Sequence, residues 1–271
     1  METIALVDSY LRELRLPTIL RNYCQVAQDA AAAQLPYDRF LLALLEQEIA
    51  QRERNRQQNR IQAARFPYLK ELSDFDFTCI QSPTRPQVLA LAAGHYVPAT
   101  EPVILVGNPG LGKTHVGIAL ALAACRQGYK VRFYNVAALV NELLAAQTEQ
   151  RLPRFFATAL KQQLIVLDEL GFIPFSPLAA QLLFQFCSAL YERVPLLMTT
   201  NLRFADWNQV FGDERLSVAL LDRLTHRAHI LEFIGESFRL RQTRKYASKG
   251  NTGRSTAVVE LVERDDHAST G

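Results

Sequence analysis

Residues Gly107-Asn108-Pro109-Gly110-Leu111-Gly112-Lys113-Thr114 bracket four positions with glycines and follow the second bracket with lysine and threonine. That spacing is the phosphate-binding loop pattern. Glycine permits positive φ, so backbone N–H groups can turn inward onto β- and γ-phosphate oxygens. Lys113 adds a point charge, and the Thr114 hydroxyl suits the coordination shell of Mg²⁺. The competing reading is an ordinary glycine-rich turn between a strand and a helix. The flanking residues decide against it. Pro102 to Val106 reads as a short buried strand, and Lys113 to Arg126, rich in Ala and Leu, reads as a helix whose N-terminus faces the phosphates. A nucleoside triphosphate is the expected ligand.

A phosphate loop needs a partner that holds Mg²⁺ and activates water. Leu164-Ile165-Val166-Leu167-Asp168-Glu169 supplies both at the end of a buried strand, where open α/β sheets place ligand sites. Asp168 is expected to hold the metal through its water shell, and Glu169 to act as general base. An acidic strand end is common in itself; beside the loop it reads as catalytic. The next strand ends in Thr199-Thr200-Asn201. Asn201 could donate to a γ-phosphate oxygen and accept from water, or simply terminate the strand.

Phosphoryl transfer also gains from a cation on the developing charge, often supplied by a neighbouring molecule. Within Leu220-Leu221-Asp222-Arg223-Leu224-Thr225-His226-Arg227, Arg223 is the first candidate and Arg227 the second. The alternative is a surface salt bridge capping that helix. His115, His226 and His229 lack ligand spacing and read as structural, and Trp207 reads as a packing anchor.

These residues need a scaffold. The chain has 271 residues, 49% of them hydrophobic, enough for one α/β domain plus a smaller module. A net charge of +3 says little about nucleic acid. Cys24, Cys79, Cys125 and Cys187 form no paired motif and read as buried small hydrophobes in a reducing compartment. No apolar run approaches a membrane span, and the N-terminus lacks a basic leader before an apolar stretch. The expectation is a soluble, cytoplasmic protein.

Up to about residue 70 the chain reads as helical. Leu11 and Leu14 belong to a helix before Pro17, and a second runs from Thr18 into Ala30–Ala33. Pro36 opens a third, on which Phe40, Leu41, Leu44, Leu45 and Ile49 recur at core spacing. Beyond Ile49 that helix turns basic. Arg52, Arg56 and Arg60 fall four apart on one stripe, with Arg54, Arg65 and Lys70 nearby and Glu53 opposing them. The stripe fits contacts to a nucleic-acid backbone, or else a solvated helix face. Arg151, Arg154 and Lys161 are an alternative surface.

Phe66-Pro67 closes the helix, and Asp74-Phe75-Asp76-Phe77 leads as a linker through 71–99. From 100 to 248, five strand-like segments alternate with helical ones, which implies a parallel sheet covered on both faces. The strands are Val103–Val106, Lys130–Tyr134, Leu164–Asp168, Leu196–Thr200 and His229–Phe233. The helices lie around 113–127, 137–162, 178–193 and 213–226. Residues 249–271 are polar and read as a disordered tail.

The order Gly107–Thr114, Asp168-Glu169, Asn201, Arg223 resembles an AAA+ ATPase of the helicase-loader branch. More closely, the chain resembles the IstB family of insertion-sequence ATPases. The resemblance extends over Ala63–Pro67, Leu72–Phe77, Leu167–Phe172, Thr199–Asn201, Leu221–Leu224 and Gly235–Leu240. It implies ATP and Mg²⁺ as cofactors, a homo-oligomer assembling on duplex DNA, and recruitment and stimulation of a cognate transposase. It also implies a core without a full C-terminal lid, with Arg239 a weak substitute for the usual lid sensor. A replicative helicase loader of the DnaC type would use nearly the same ATP site. A small-molecule kinase would need neither Glu169 as base nor an arginine acting across subunits.

Overall fold

A computed structural model describes residues 2–171 and 174–238. Phe172, Arg239, Leu240 and the 249–271 tail, which the sequence reading includes, lie outside the described residues. The chain divides into two compact units between Gln62 and Ala63.

The first unit is helical: α1 (Glu2–Glu13), α2 (Pro17–Ala32) and α3 (Tyr37–Ala64). Pro17 stands in the first turn of α2, where its missing N–H is no loss. Leu16, at the cap position, has no side chain to satisfy the free amides that follow. Glu48 of α3 does this instead. Its Oε2 accepts from Thr18 N at 2.8 Å and Ile19 N at 3.2 Å. Arg52 Nε donates to the other carboxylate oxygen at 2.8 Å and an Arg52 Nη donates to the Arg15 carbonyl. Burial of Glu48 opposes ionisation, but the Arg52 guanidinium and the two amides outweigh it and hold the carboxyl below its ordinary value.

Periodicity on α3 overstates this unit's core. Leu44 is buried and Phe40 half-buried, whereas Leu41, Leu45 and Ile49 are exposed. The polar Glu48 takes a place inside that apolar spacing assigned to leucine and isoleucine. The cysteine expectation is corrected as well: Cys125 and Cys187 are buried, Cys24 is exposed and Cys79 half-buried.

The second unit is built on a six-stranded sheet of order β1-β6-β2-β5-β4-β3. Its strands are β1 (Ile80–Ser82), β2 (Val103–Gly107), β3 (Val131–Asn135), β4 (Leu164–Leu170), β5 (Leu196–Thr200) and β6 (His229–Gly235). β2 to β6 pair in parallel as expected, and β1 adds a sixth, antiparallel strand on β6. Three residues are too few for alternation to reveal it. Every residue of β5 is buried and β4 is buried except at Glu169, as a parallel sheet covered on both faces requires.

α5 (Lys113–Arg126) is buried almost all round and packs on the central strands. The stretch read as one helix over 137–162 is two, α6 (Val136–Thr148) and α7 (Leu152–Ala159). Gln150 takes φ 54°, and Pro153 lies in the first turn of α7, where it cannot extend a preceding helix. α4 (Arg85–Ala92), α8 (Pro177–Leu190), α9 (Asn208–Phe211) and α10 (Glu214–Thr225) complete the unit. Trp207 is buried, stacked on Phe211 with centroids 5.8 Å apart. No helix among the described residues is long and apolar enough to cross a membrane.

Candidate active site

β2 delivers the chain into the glycine loop at the carboxyl end of the sheet, and α5 leaves it. Gly112 takes φ 86°, and a Cβ there would meet the Phe75 ring at 2.5 Å. Gly110 takes φ 84° and its missing Cβ makes room for Ser237. Both glycines are thus required by turn geometry and by the two segments pressed onto the loop. Lys113 is buried, and its Nζ donates to the carbonyls of Gly107 at 2.6 Å and Asn108 at 2.8 Å. The ammonium is therefore centred on the loop, where phosphate oxygens compete with those carbonyls for its protons.

Three strand ends converge beside it. Asp168 of β4 is 5% exposed and accepts at Oδ1 from Thr114 Oγ1 at 2.9 Å and Thr199 Oγ1 at 2.7 Å. Burial pushes the Asp168 carboxyl up from its ordinary value, against the pull of those two hydroxyls. Glu169 follows in a left-handed conformation, φ 64°, at an irregularity in the β4–β5 pairing. Simple alternation would send adjacent side chains to opposite faces of the sheet. The irregularity leaves Asp168 buried and Glu169 exposed at the cavity wall. Thr199 Oγ1 also accepts from Glu169 N at 2.9 Å, so one hydroxyl ties both acidic residues to β5.

The loop, Glu169, Thr199, Thr200 and Asn201 line one cavity of about 630 Å³. Tyr68, Phe75, Ile80 and Phe238 also line it. A buried carboxylate hydrogen-bonded to a threonine hydroxyl is a hard-oxygen donor set suited to Mg²⁺. Thr114 and Asp168 are the residues that would hold the ion, which when bound supplies positive charge to the phosphates.

Arg223 and Arg227 are elsewhere. They line a separate small concavity with Tyr191 and His226, and no arginine lines the phosphate cavity among the described residues. The histidines engage in structural contacts. His115 Nε2 pairs with the Glu71 carbonyl at 2.8 Å, His226 with Tyr191 at 3.2 Å, and His229 with Glu101 at 2.7 Å. In the helical unit, Arg56 and Arg60 both pair with Glu53, at 3.7 Å and 2.8 Å. Arg52 is committed to Glu48, an opposing acid that the stripe reading leaves out. Arg151 pairs with Glu149, and Arg154 is exposed on α7.

Sequence reasoning misses two residues. It selects Asn201, which lies just past the end of β5, and overlooks Thr199 two residues before it. Asn135 ends β3 in register with Asp168, and its Nδ2 donates to Glu169 Oε2 at 2.9 Å. Its Oδ1 caps α6 by accepting from Ala137 N at 3.1 Å. The available signal is a polar residue ending a strand, as at Thr200.

The parallel sheet, glycine loop and strand-end acids define a P-loop ATPase. The chain belongs to the IstB-like ATP binding protein family, whose model matches residues 9–246. It is 37% identical over 261 residues to the IS21 insertion-sequence ATP-binding protein of Pseudomonas aeruginosa, covering 96% of this chain and 98% of that one. It is 33% identical over 243 residues to the IS5376 counterpart of Geobacillus stearothermophilus, covering 90% and 97%. Among solved structures, DnaI matches with a TM-score of 0.52 at 19% identity, over 60% of this chain and 90% of that one. The replication initiator DnaA, solved with AMPPCP and single-stranded DNA, matches at 0.51 and 17% identity, over 67% and 55%. These two likenesses describe the fold.

Proposed function

We propose that this ATPase is a switch for insertion-sequence transposition in the bacterial cytoplasm. ATP-bound copies assemble on duplex DNA, recruit a cognate transposase and stimulate it, and hydrolysis ends that state. Lys113 neutralises phosphate charge, Thr114 and Asp168 hold Mg²⁺, Asn201 orients water, and Glu169 accepts its proton. Arg223 of one copy stabilises the developing charge in the site of the next. Arg56, Arg60, Arg151 and Arg154 are the candidate contacts to DNA phosphates.

The observation that carries this reading is the division of the machinery. The cavity gathers the loop, Glu169 and Asn201 but holds no arginine among the described residues, while Arg223 lines a concavity of its own. That division supports a reading in which a second copy completes the site. Resemblance over nearly the full chain to insertion-sequence ATP-binding proteins supports the assignment to transposition.

Particle size and ATP turnover of the purified protein, with duplex or single-stranded DNA, test the proposal. ATP-dependent assembly on duplex with stimulated hydrolysis is expected. A preference for single strands would instead support a helicase loader, and no response to either DNA would leave the nucleotide site alone standing.

A further inference from the structure

Arg223 differs from the ion-paired arginines of the described residues in what holds it, as does Arg132, which donates to the Ala63 carbonyl and lies over the Tyr134 ring. Arg52, Arg60, Arg126 and Arg151 each pair with a carboxylate. Arg223, half-buried on α10, has no carboxylate in ion-pair range among the described residues. Its Nη1 donates instead to the Ser188 hydroxyl, and its guanidinium carbon lies 5.0 Å from the centre of the Phe184 ring. Ser188 and Phe184 are four residues apart on α8, hence on one face of that helix. A hydroxyl and a ring face orient a guanidinium without neutralising it. A carboxylate would orient it too, but would also compete with any incoming anion. Arg227, exposed at φ 57° on the same concavity, has no such orienting partner among the described residues.

We infer that Ser188 and Phe184 are positioning residues that hold Arg223, rather than Arg227, ready for a phosphate presented by a second copy of this chain. The inference rests on the reading of Arg223 as acting across subunits. It adds the two residues that make the guanidinium both ordered and electrostatically available.

The test mixes two full-length variants on duplex DNA. Arg223→Ala keeps its own hydrolytic residues but offers no arginine; Glu169→Gln offers Arg223 but hydrolyses poorly. Mixing should recover turnover in the Arg223→Ala sites. The Glu169→Gln helper is then rebuilt with Ser188→Ala and Phe184→Leu. Recovered turnover should fall roughly thirtyfold or more at saturating ATP, the worth of one charged hydrogen bond and one ring contact. KM for ATP should not move, because the loop and strand-end residues that bind ATP in the hydrolysing subunit are unchanged and Arg223 answers the charge that develops in the transition state. Ser188→Thr with Phe184→Tyr in the helper should restore most of the loss. A rebuilt helper that recovers full turnover overturns the positioning role alone. Lost recovery that tracks lost co-assembly also overturns it, since only packing was then removed. No recovery with the simple Glu169→Gln helper overturns action across subunits, and the inference falls with it.

Discussion

The two units of this chain assign opposite tasks to apolar and polar residues. In the ATPase unit, apolar burial carries the architecture. The whole of β5 and nearly all of α5 are buried, which fixes the strand ends where Asp168, Glu169 and Thr199 meet. Polar groups there are left for chemistry. In the helical unit a polar group carries the architecture, since the Glu48 carboxylate ties the start of α2 to α3 and Arg52. Apolar groups there are left in solvent, with Tyr37 at 93% exposure and Ile49 at 67%. A site that must hold atoms in register is thus mounted on the unit whose interior cannot rearrange cheaply. The unit joined by a charged hub has no such requirement.

Lys113→Ala should produce the largest effect and should stay within the ATPase unit. The ammonium sits at the centre of the loop, so ATP affinity should fall by roughly a hundredfold or more. Titration with a fluorescent ATP analogue measures it, and an affinity near that of the parent would contradict the loop assignment. Glu169→Gln comes next. Loss of the general base should lower turnover about 10²- to 10⁴-fold while ATP affinity holds, read by steady-state hydrolysis beside the same titration. Normal turnover would place the base elsewhere. In both variants the helical unit should melt as in the parent.

The contrast between the units also governs how much of each is legible in the amino-acid sequence. Short apolar runs rich in β-branched residues, such as Leu164–Leu167, fit a buried parallel strand by their length, and the loop spacing announces its own chemistry. Hence the parallel strands, the loop and the Asp168-Glu169 pair can be read directly. The three-residue β1 cannot, because pairing with β6 rather than local pattern creates it. Asn135 is hidden for a related reason. Its partner Glu169 is 34 residues away and is brought near only by strand register. On α3 the failure has a different origin. Helical periodicity marks which residues share a face, not whether another element covers it. Nothing local distinguishes buried Leu44 from exposed Leu45, or announces that Glu48 is the tertiary cap of another helix.

Glu48→Gln should break the helical unit selectively. The amide can still accept from Thr18 and Ile19, but it gives up the charge that Arg52 answers. A loss of about 1–3 kcal/mol is expected for a buried, charge-assisted partner. Thermal melting by circular dichroism should show early loss of helix while ATP affinity stays at the parental value. Acid offers the same break without mutation. The folded Glu48 carboxyl lies below its ordinary value, so its stabilisation is present above about pH 4.3 and is lost as pH falls through the folded-state value. The parent should therefore show an acid-induced loss of N-terminal helix that the glutamine variant lacks. An identical acid profile in both would remove Glu48 as the hub.

The smallest effect on stability, and the finest division between structure and binding, concerns the arginine stripe. Arg52, Arg56 and Arg60 look equivalent in sequence, yet Arg52 serves Glu48 while the other two share Glu53 at the surface. The Arg56 pair is exposed and worth little, and Arg60 is half-buried, so Arg56→Gln with Arg60→Gln should lower stability by less than Glu48→Gln does. Their effect should appear instead in the salt dependence of duplex binding. Removing two phosphate contacts should flatten the slope of log affinity against log salt by roughly 1.8. Arg52→Gln should do the reverse, lowering the melting temperature of the helical unit and changing the slope little. If the double variant keeps the parental slope, the stripe is a solvated helix face, and the DNA surface moves to the ATPase unit around Arg151 and Arg154. If Arg52→Gln flattens the slope as much as the pair does, the division of labour between hub and surface is wrong.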